Sequence, residues 1–213
     1  MNVSYPRNKL TVAPAGGRSA PPADLAVPMQ EIAAKVFAGG SERTLRHIMV
    51  TGVTRKVGTS FIARGLAESL SAGGQAVLII ELSADRTDGM TLPRLLAEPD
   101  MASSEQPLTL QLGLAEVTAL VAPGSSMFEQ VSRGLQERFD SVVWDLPPPG
   151  QRAPTAVASR LMDGTILVAE NDRTTRRALT FATARLRAQE ARLLGVVLNR
   201  IRRRVPRWLD RLA

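Results

Sequence analysis

The chain has 213 residues, a formal net charge of +7, and the 44% hydrophobic and 22% charged content of an ordinary globular protein. Its length accommodates one domain with a full core and a tail. Because cysteine is absent and His47 is the single histidine, disulfides, a thiolate nucleophile, Cys-based zinc sites and His-cluster metal sites are excluded.

Residues 1–28 are rich in Pro, Gly, Ala and Ser and predict a flexible leader. Apolar runs and helical periodicity then alternate along the chain. The predicted elements are, in chain order, a helix at Pro28–Phe37, a strand at His47–Thr51, a helix at Ser60–Ser71, a strand at Ala76–Glu81, a helix at Leu92–Leu96, strands at Leu108–Leu112 and Val117–Val121, a helix at Ser126–Phe139, a strand at Ser141–Leu146, a helix at Thr155–Met162, a strand at Gly164–Ala169, a helix at Arg173–Glu190, a strand at Leu194–Leu198 and a helix at Pro206–Leu212. This order predicts an α/β fold with a doubly wound, mostly parallel sheet flanked by helices over residues 29–213.

The charge is concentrated in the C-terminal third of the chain. Residues 171–213 contain twelve arginines against three acidic residues, a local balance of +9. This balance indicates an anionic partner, such as lipid headgroups, nucleic acid or an acidic protein, or else simple solvation of the helices by arginine. No signal peptide and no run of about 18 apolar residues is visible, so we expect a cytoplasmic protein, peripheral to the inner membrane.

The tail that follows the last predicted strand combines arginines with apolar residues. Such a pattern is typical of a short interfacial helix that binds an anionic membrane or a partner, although Trp208 and Leu212 would equally well dock onto the domain. The candidate membrane or partner residues are Arg202, Arg203, Arg204, Arg207, Trp208 and Leu212.

A candidate phosphate-binding loop lies between the first predicted strand and its helix. A working loop surrounds phosphates with backbone N–H groups, neutralises them with a lysine and holds magnesium with Ser or Thr. Gly58 and Ser60 occupy the Gly and Ser/Thr positions, but Thr59 stands where the lysine belongs. One charge-assisted contact to phosphate contributes about 1.5–3 kcal/mol, so the loss is substantial. Lys56 is the candidate substitute.

A candidate magnesium-binding carboxylate ends the strand Ser141–Leu146. Asp145 precedes Leu146 and three prolines. In parallel α/β sheets ligands bind at the carboxyl ends of the strands, where such an aspartate orients magnesium or water. A strand-end Asp that only caps a turn is the structural alternative.

Five segments taken together resemble one family. They are Val50-Thr51 with the loop, Val77–Glu81, Phe139-Asp140 with Asp145-Leu-Pro-Pro, Met162–Ala169 and Leu194–Arg200. In this order and spacing they resemble the cytoplasmic domain of bacterial tyrosine kinases (BY-kinases, the CpsD/CapB type), within the ParA/MinD-like P-loop ATPases. The resemblance covers about residues 29–202 and implies a P-loop NTPase-like fold, ATP with magnesium as cofactors, and a membrane-bound polysaccharide chain-length regulator or synthesis complex as partner.

The resemblance also implies site residues and reveals departures. The nucleotide-binding candidates are Gly58, Thr59, Ser60, Glu81, Asn199 and Arg200, with Ser60 and Asp145 on magnesium and, in an active enzyme, Asp145 and Lys56 catalytic. The family's second acidic motif, Asp-x-Asp, is reduced to Glu81. The C-terminal tyrosine cluster is missing, since Tyr5 is the only tyrosine. The family's oligomerisation motif, Glu-x-x-Arg-x-x-Arg, keeps only its glutamate here, Glu31, which leaves ring assembly an open expectation.

Three functions follow as hypotheses. The leading one is a catalytically degenerate pseudo-kinase of exopolysaccharide or capsule biosynthesis or export that acts through a membrane protein partner. The second is an active ATPase or tyrosine autokinase that uses Lys56, and the third is a ParA/MinD-like positioning ATPase. Loss of the lysine and the tyrosine cluster favours the first, and nucleic acid is the less favoured anionic partner.

Overall fold

The computed structural model describes residues 29–34, 45–83, 91–97 and 106–200. Helix α1 covers residues 29–34, and the other elements are β1 (His47–Gly52), α2 (Thr59–Ala72), β2 (Val77–Leu82), α3 (Leu92–Ala97), β3 (Leu108–Leu112), α4 (Leu114–Leu120), α5 (Met127–Gln136), β4 (Ser141–Leu146), α6 (Ala153–Ser159), β5 (Gly164–Glu170), α7 (Arg176–Arg187) and β6 (Leu193–Asn199). The predicted leader, the basic tail and the helix at Pro206–Leu212 lie outside these residues.

The strands form one six-stranded sheet in the order β3-β2-β4-β1-β5-β6, and every neighbouring pair is parallel. Strand β1 is fully buried, and so are the first four residues of β2, because helices cover both faces of the sheet. The predicted α/β fold with a parallel sheet is confirmed.

The two faces of the sheet carry different layers. On one face α1 and α2 pack against the sheet through a cluster that includes Ile62, Leu66 and Leu70. On the other face α3 to α7 cover a larger cluster around Trp144. Helix α2 therefore stands over one face, with its amino end at the carboxyl edge of the strands.

The predicted strand at Val117–Val121 is wrong, because most of this segment belongs to helix α4. The Glu116 carboxylate accepts a hydrogen bond from the Gly113 N–H at 2.8 Å and so stabilises the start of the helix. Val117, Leu120 and Val121 follow at helical spacing and are buried in one stripe. An apolar run this short is compatible with a strand or a helix. Here the hydrogen bond at the start of the helix and the buried stripe of residues favour the helix.

Several helices are shorter than predicted. Helix α7 begins at Arg176 rather than Arg173, because the Thr175 side chain caps it by accepting a hydrogen bond from the Ala178 N–H at 3.1 Å. Helix α5 ends at Gln136 rather than Phe139. Within the described residues, no helix combines the length and apolar character needed to cross a bilayer.

Candidate functional site

The loop between β1 and α2 reaches the first turn of α2 through a left-handed residue. Gly58 has φ 90°, and a side chain there would collide with Nδ2 of Asn199. Both the backbone angle and the close approach therefore require glycine. Among the described residues, no side chain caps the amino end of α2. Its first N–H groups, which have no intrahelical partner in any α-helix, face the carboxyl edge of the sheet. This arrangement is the backbone half of an anion site.

Thr59 begins α2 at the position predicted for the lysine. Its Oγ1 lies over the end of β1, since a Cβ added to Gly52 would fall 2.7 Å from that oxygen. The side chain also lines the cavity above the loop. A hydroxyl at this position supplies a hydrogen bond but no positive charge.

Two carboxylates lie side by side beneath α2. Glu81 of β2 and Asp145 of β4 are partners in the parallel register, so their side chains leave the same face of the sheet. Ser60 and Asp145 both line the cavity, and Ser60 lies close enough to Asp145 to affect its ionisation. The pKa of Asp145 is raised from 3.8 to about 6, chiefly by burial; the Ser60 hydroxyl opposes the rise, Glu81 adds to it and the Arg64 guanidinium opposes it.

An arginine of α2 neutralises one of these carboxylates. Arg64 follows Ser60 by one helical turn, so both side chains leave the same side of α2. Its NH2 lies 2.7 Å and its Nε 2.8 Å from Oε1 of Glu81, whose side chain is only 13% exposed. Arg64, Glu81 and Asp145 therefore form one charge cluster with a net charge of −1.

The end of β6 fixes the shape of the loop. Asn199 Nδ2 donates to the Val57 carbonyl at 2.9 Å, and Arg200 NH1 donates to the Lys56 carbonyl at 3.3 Å. The same guanidinium nitrogen lies 3.1 Å from Oε1 of the buried Glu170 at the end of β5. Asn199 and Arg200, expected to contact a nucleotide, thus contact the loop itself.

An open cavity of about 870 Å³ lies over these elements at the carboxyl edge of the sheet. Among the described residues, its charged lining consists of four cations and one carboxylate, and its apolar lining includes the 40% exposed Phe61. The lining residues are Thr54, Arg55, Lys56, Gly58, Thr59, Ser60, Phe61, Leu82, Ser83, Leu114, Asp145, Pro147, Pro148, Gln151, Arg152 and Arg200. Since cations prevail, the cavity favours an anionic ligand.

Comparisons with curated proteins find tyrosine-protein kinases among the similar chains. No family model matches the chain. The tyrosine-protein kinase Wzc of Salmonella typhi is 24% identical over 180 residues, which cover 76% of this chain and 25% of Wzc. The putative tyrosine-protein kinase CapB of Staphylococcus aureus is 20% identical over 211 residues, which cover 92% of each protein. The chain is similar to bacterial tyrosine kinases.

Solved structures show the same fold. The kinase domain of the Escherichia coli tyrosine kinase ETK matches with a TM-score of 0.66 at 21% identity, over 94% of this chain and 87% of that domain. The MinD cell division protein of Aquifex aeolicus matches with a TM-score of 0.55 at 15% identity, over 74% of this chain and 70% of that protein. This chain therefore has a P-loop NTPase-like fold. It spans about a quarter of the length of Wzc.

The described residues supply only part of what a magnesium–nucleotide site needs. Ser60 and Asp145 are oxygen donors that lie together, as such a site needs. However, Glu81 is paired with Arg64, and Thr59 provides no positive charge. Among the described residues, no group of three or more His, Cys, Asp or Glu side chains is placed to hold a metal ion.

The structure brings most predicted site residues of this tyrosine kinase-like chain to one edge. Lys56, Gly58, Thr59, Ser60, Asp145 and Arg200 line the cavity, whereas Glu81 and Asn199 lie beside it. The predicted tail residues from Arg202 to Leu212 fall outside the described residues. Sequence reasoning missed Arg55, Arg64 and Arg152. Two of these residues could have been found from the sequence. Arg64 follows Ser60 at helical spacing, and Arg152 lies shortly after the three prolines that follow β4.

Proposed function

We propose that this chain is a BY-kinase-like protein of exopolysaccharide or capsule biosynthesis or export, and that it is a catalytically degenerate pseudo-kinase. It acts in the cytoplasm, peripheral to the inner membrane, through a membrane-bound chain-length regulator or polysaccharide synthesis complex. The similarity to Wzc and CapB supports the kinase-like origin. The observation that carries the loss of catalysis is Thr59 at the start of α2.

The positive charge that a lysine would supply at position 59 bears directly on phosphoryl transfer. Transfer of a phosphoryl group depends on positioning and on electrostatic stabilisation of the phosphate oxygens. A side chain at the first residue of α2 sits beside the N–H groups that would surround those oxygens, and a threonine hydroxyl supplies no positive charge at that position. The chain also offers no tyrosine cluster as acceptor, since Tyr5 is its only tyrosine.

Lys56 supports a second candidate, an active ATPase or tyrosine autokinase. Its side chain lines the cavity, and its backbone has φ 63°, a left-handed conformation uncommon for a residue with a side chain. Such strain is found at functional loops, so Lys56 is the residue through which activity would be rescued. The match to MinD concerns the fold and supports a positioning ATPase only at that level.

Calorimetry and a hydrolysis assay with Mg–ATP test the proposal on the full chain. We expect neither micromolar affinity nor turnover, and we expect Lys56→Ala to behave as the wild type does. Arg133→Ala, an exposed position on α5 away from the cavity, is the matched control for loss of one surface cation. Suppose instead that the wild type binds Mg–ATP with micromolar affinity or hydrolyses it. If Lys56→Ala abolishes this activity and Arg133→Ala preserves it, the active ATPase or autokinase is the correct function.

A further inference from the structure

The cluster beneath α2 raises the question of what compensates its two carboxylates. Glu81 and Asp145 are register partners on adjacent parallel strands, which lie about 4.8 Å apart. Two carboxylates at such separation repel each other, and a site of this kind ordinarily recruits a cation. Here the chain itself supplies one, because Arg64 is bonded to Glu81 through two nitrogens.

We propose that Arg64 takes the electrostatic place of a divalent cation at the Glu81–Asp145 pair, so that the cavity accepts a phosphate-bearing anion without metal. This inference deepens the proposed pseudo-kinase function and rests on it. A guanidinium is permanently charged and is held on a helix, so its charge is present before any ligand arrives. Metal binding would have to compete with an ion pair already formed against a side chain that is 13% exposed.

The cavity supplies the contacts that such an anion needs. Arg55, Lys56 and Arg152 line it in addition to Arg200, while Asp145 is the only carboxylate among the described lining residues. The uncapped amino end of α2 adds N–H donors on the same side. Arginine and backbone N–H groups bind phosphoryl oxygens directly, whether these belong to a free phosphate, a diphosphate or a nucleotide. A metal bridge is therefore unnecessary.

Charge arithmetic within the cluster gives the sharpest test. The wild-type cluster has a net charge of −1, Arg64→Gln makes it −2, and the double change Arg64→Gln/Glu81→Gln returns it to −1. We expect Mn²⁺, followed by electron paramagnetic resonance, to bind Arg64→Gln about tenfold tighter or more than the wild type. The double variant should bind Mn²⁺ as weakly as the wild type, and so should Arg64→Lys, which keeps the charge.

The outcome of this series separates charge from packing. Equal Mn²⁺ binding by wild type and Arg64→Gln would overturn the inference. A double variant that behaves like Arg64→Gln would overturn it as well, because the effect would then come from loss of the arginine side chain rather than from charge. Arg133→Gln on α5 is the control and should leave Mn²⁺ binding unchanged. If Arg64→Gln does not fold, the inference is still tested on the wild type by the pyrophosphate measurement that follows.

Anion binding is measured separately with inorganic pyrophosphate. We expect pyrophosphate to raise the melting temperature of the wild type by the same amount in EDTA as in Mg²⁺. A shift seen only with Mg²⁺, or no shift in either buffer, would overturn the inference while leaving the pseudo-kinase function intact. Hydrolysis of Mg–ATP would instead overturn the pseudo-kinase function, so the two failures are distinguishable.

Discussion

Replacing Asp145 with asparagine is expected to stabilise the protein at neutral pH. The folded-state pKa of this carboxyl is about 6 against an ordinary value of 3.8, so folding opposes its ionisation. At about 1.36 kcal/mol per pKa unit, the ionised carboxylate costs the fold up to about 3 kcal/mol above pH 6. Asparagine does not ionise, so the cost disappears.

The pH dependence of this gain follows from the sign of the shift. As pH falls through 6, folded Asp145 takes up a proton before the unfolded chain does, so the destabilising contribution of this one carboxyl decreases and disappears near pH 4. The advantage of Asp145→Asn should therefore be largest at pH 7.5 and vanish near pH 4.

Thermal or urea unfolding of both proteins in EDTA at pH 7.5 and pH 4.5 measures this difference. At pH 7.5 the melting temperature of Asp145→Asn should be higher by about 6–12 °C if the full effect is realised. Other titrating groups cancel in the comparison of the two proteins. A variant no more stable than the wild type at pH 7.5, or equally more stable at both pH values, would refute the reasoning.

Two further predictions concern the core and the loop. Burial lowers the pKa of His47 from 6.5 to about 4, so the contribution of His47 to the free energy of unfolding is fully present above pH 6.5 and should decrease by about 3 kcal/mol as pH drops towards 4. The ring resonances of this single histidine should titrate near pH 4, and a midpoint near 6.5 would contradict the prediction. Asn199→Ala removes the hydrogen bond to the Val57 carbonyl and should lower the free energy of unfolding by about 1 kcal/mol. It should also speed tryptic cleavage after Arg55 and Lys56. An unchanged cleavage rate would show that the loop holds its shape without Asn199.

The neutral state of His47 also has a geometric basis. Trp144 Nε1 donates to its Nδ1 at 3.2 Å, so the other nitrogen, Nε2, carries the proton and donates to Ser132 Oγ at 2.7 Å. The ring lies against Phe128 and Trp144, with centroids 5.3 and 6.2 Å away. A second proton on Nδ1 would break the bond to Trp144 in a buried environment.

The sequence predicts much of the fold because the central strands are continuous apolar runs. Val77–Ile80 and Ser141–Trp144 are buried on both faces, and such runs are recognisable without any knowledge of their neighbours. The segment at Val117 was misassigned because a short apolar run has no period long enough to separate a strand from a helix.

Site residues that belong to one continuous segment of the sequence were predicted. Contacts that depend on which strands are neighbours in the sheet were missed. Gly58 and Ser60 follow from a strand, a loop and a helix that are adjacent in sequence, and Asp145 follows from its place at the end of an apolar strand. The pairing of Glu81 with Asp145 requires β2 to lie beside β4, which the one-dimensional pattern does not contain. The role of Arg64 becomes visible only after that register is known.

The contacts that hold the loop have a consequence for synthesis of the chain. Asn199 and Arg200 follow the carbonyls they bind by 142 and 144 residues. At a translation rate of about 5–20 residues per second, the loop is synthesised roughly 7–30 s before Asn199 and Arg200. A nascent chain that ends before β6 therefore lacks both hydrogen bonds to the loop, and the loop acquires them only when the last strand joins the sheet.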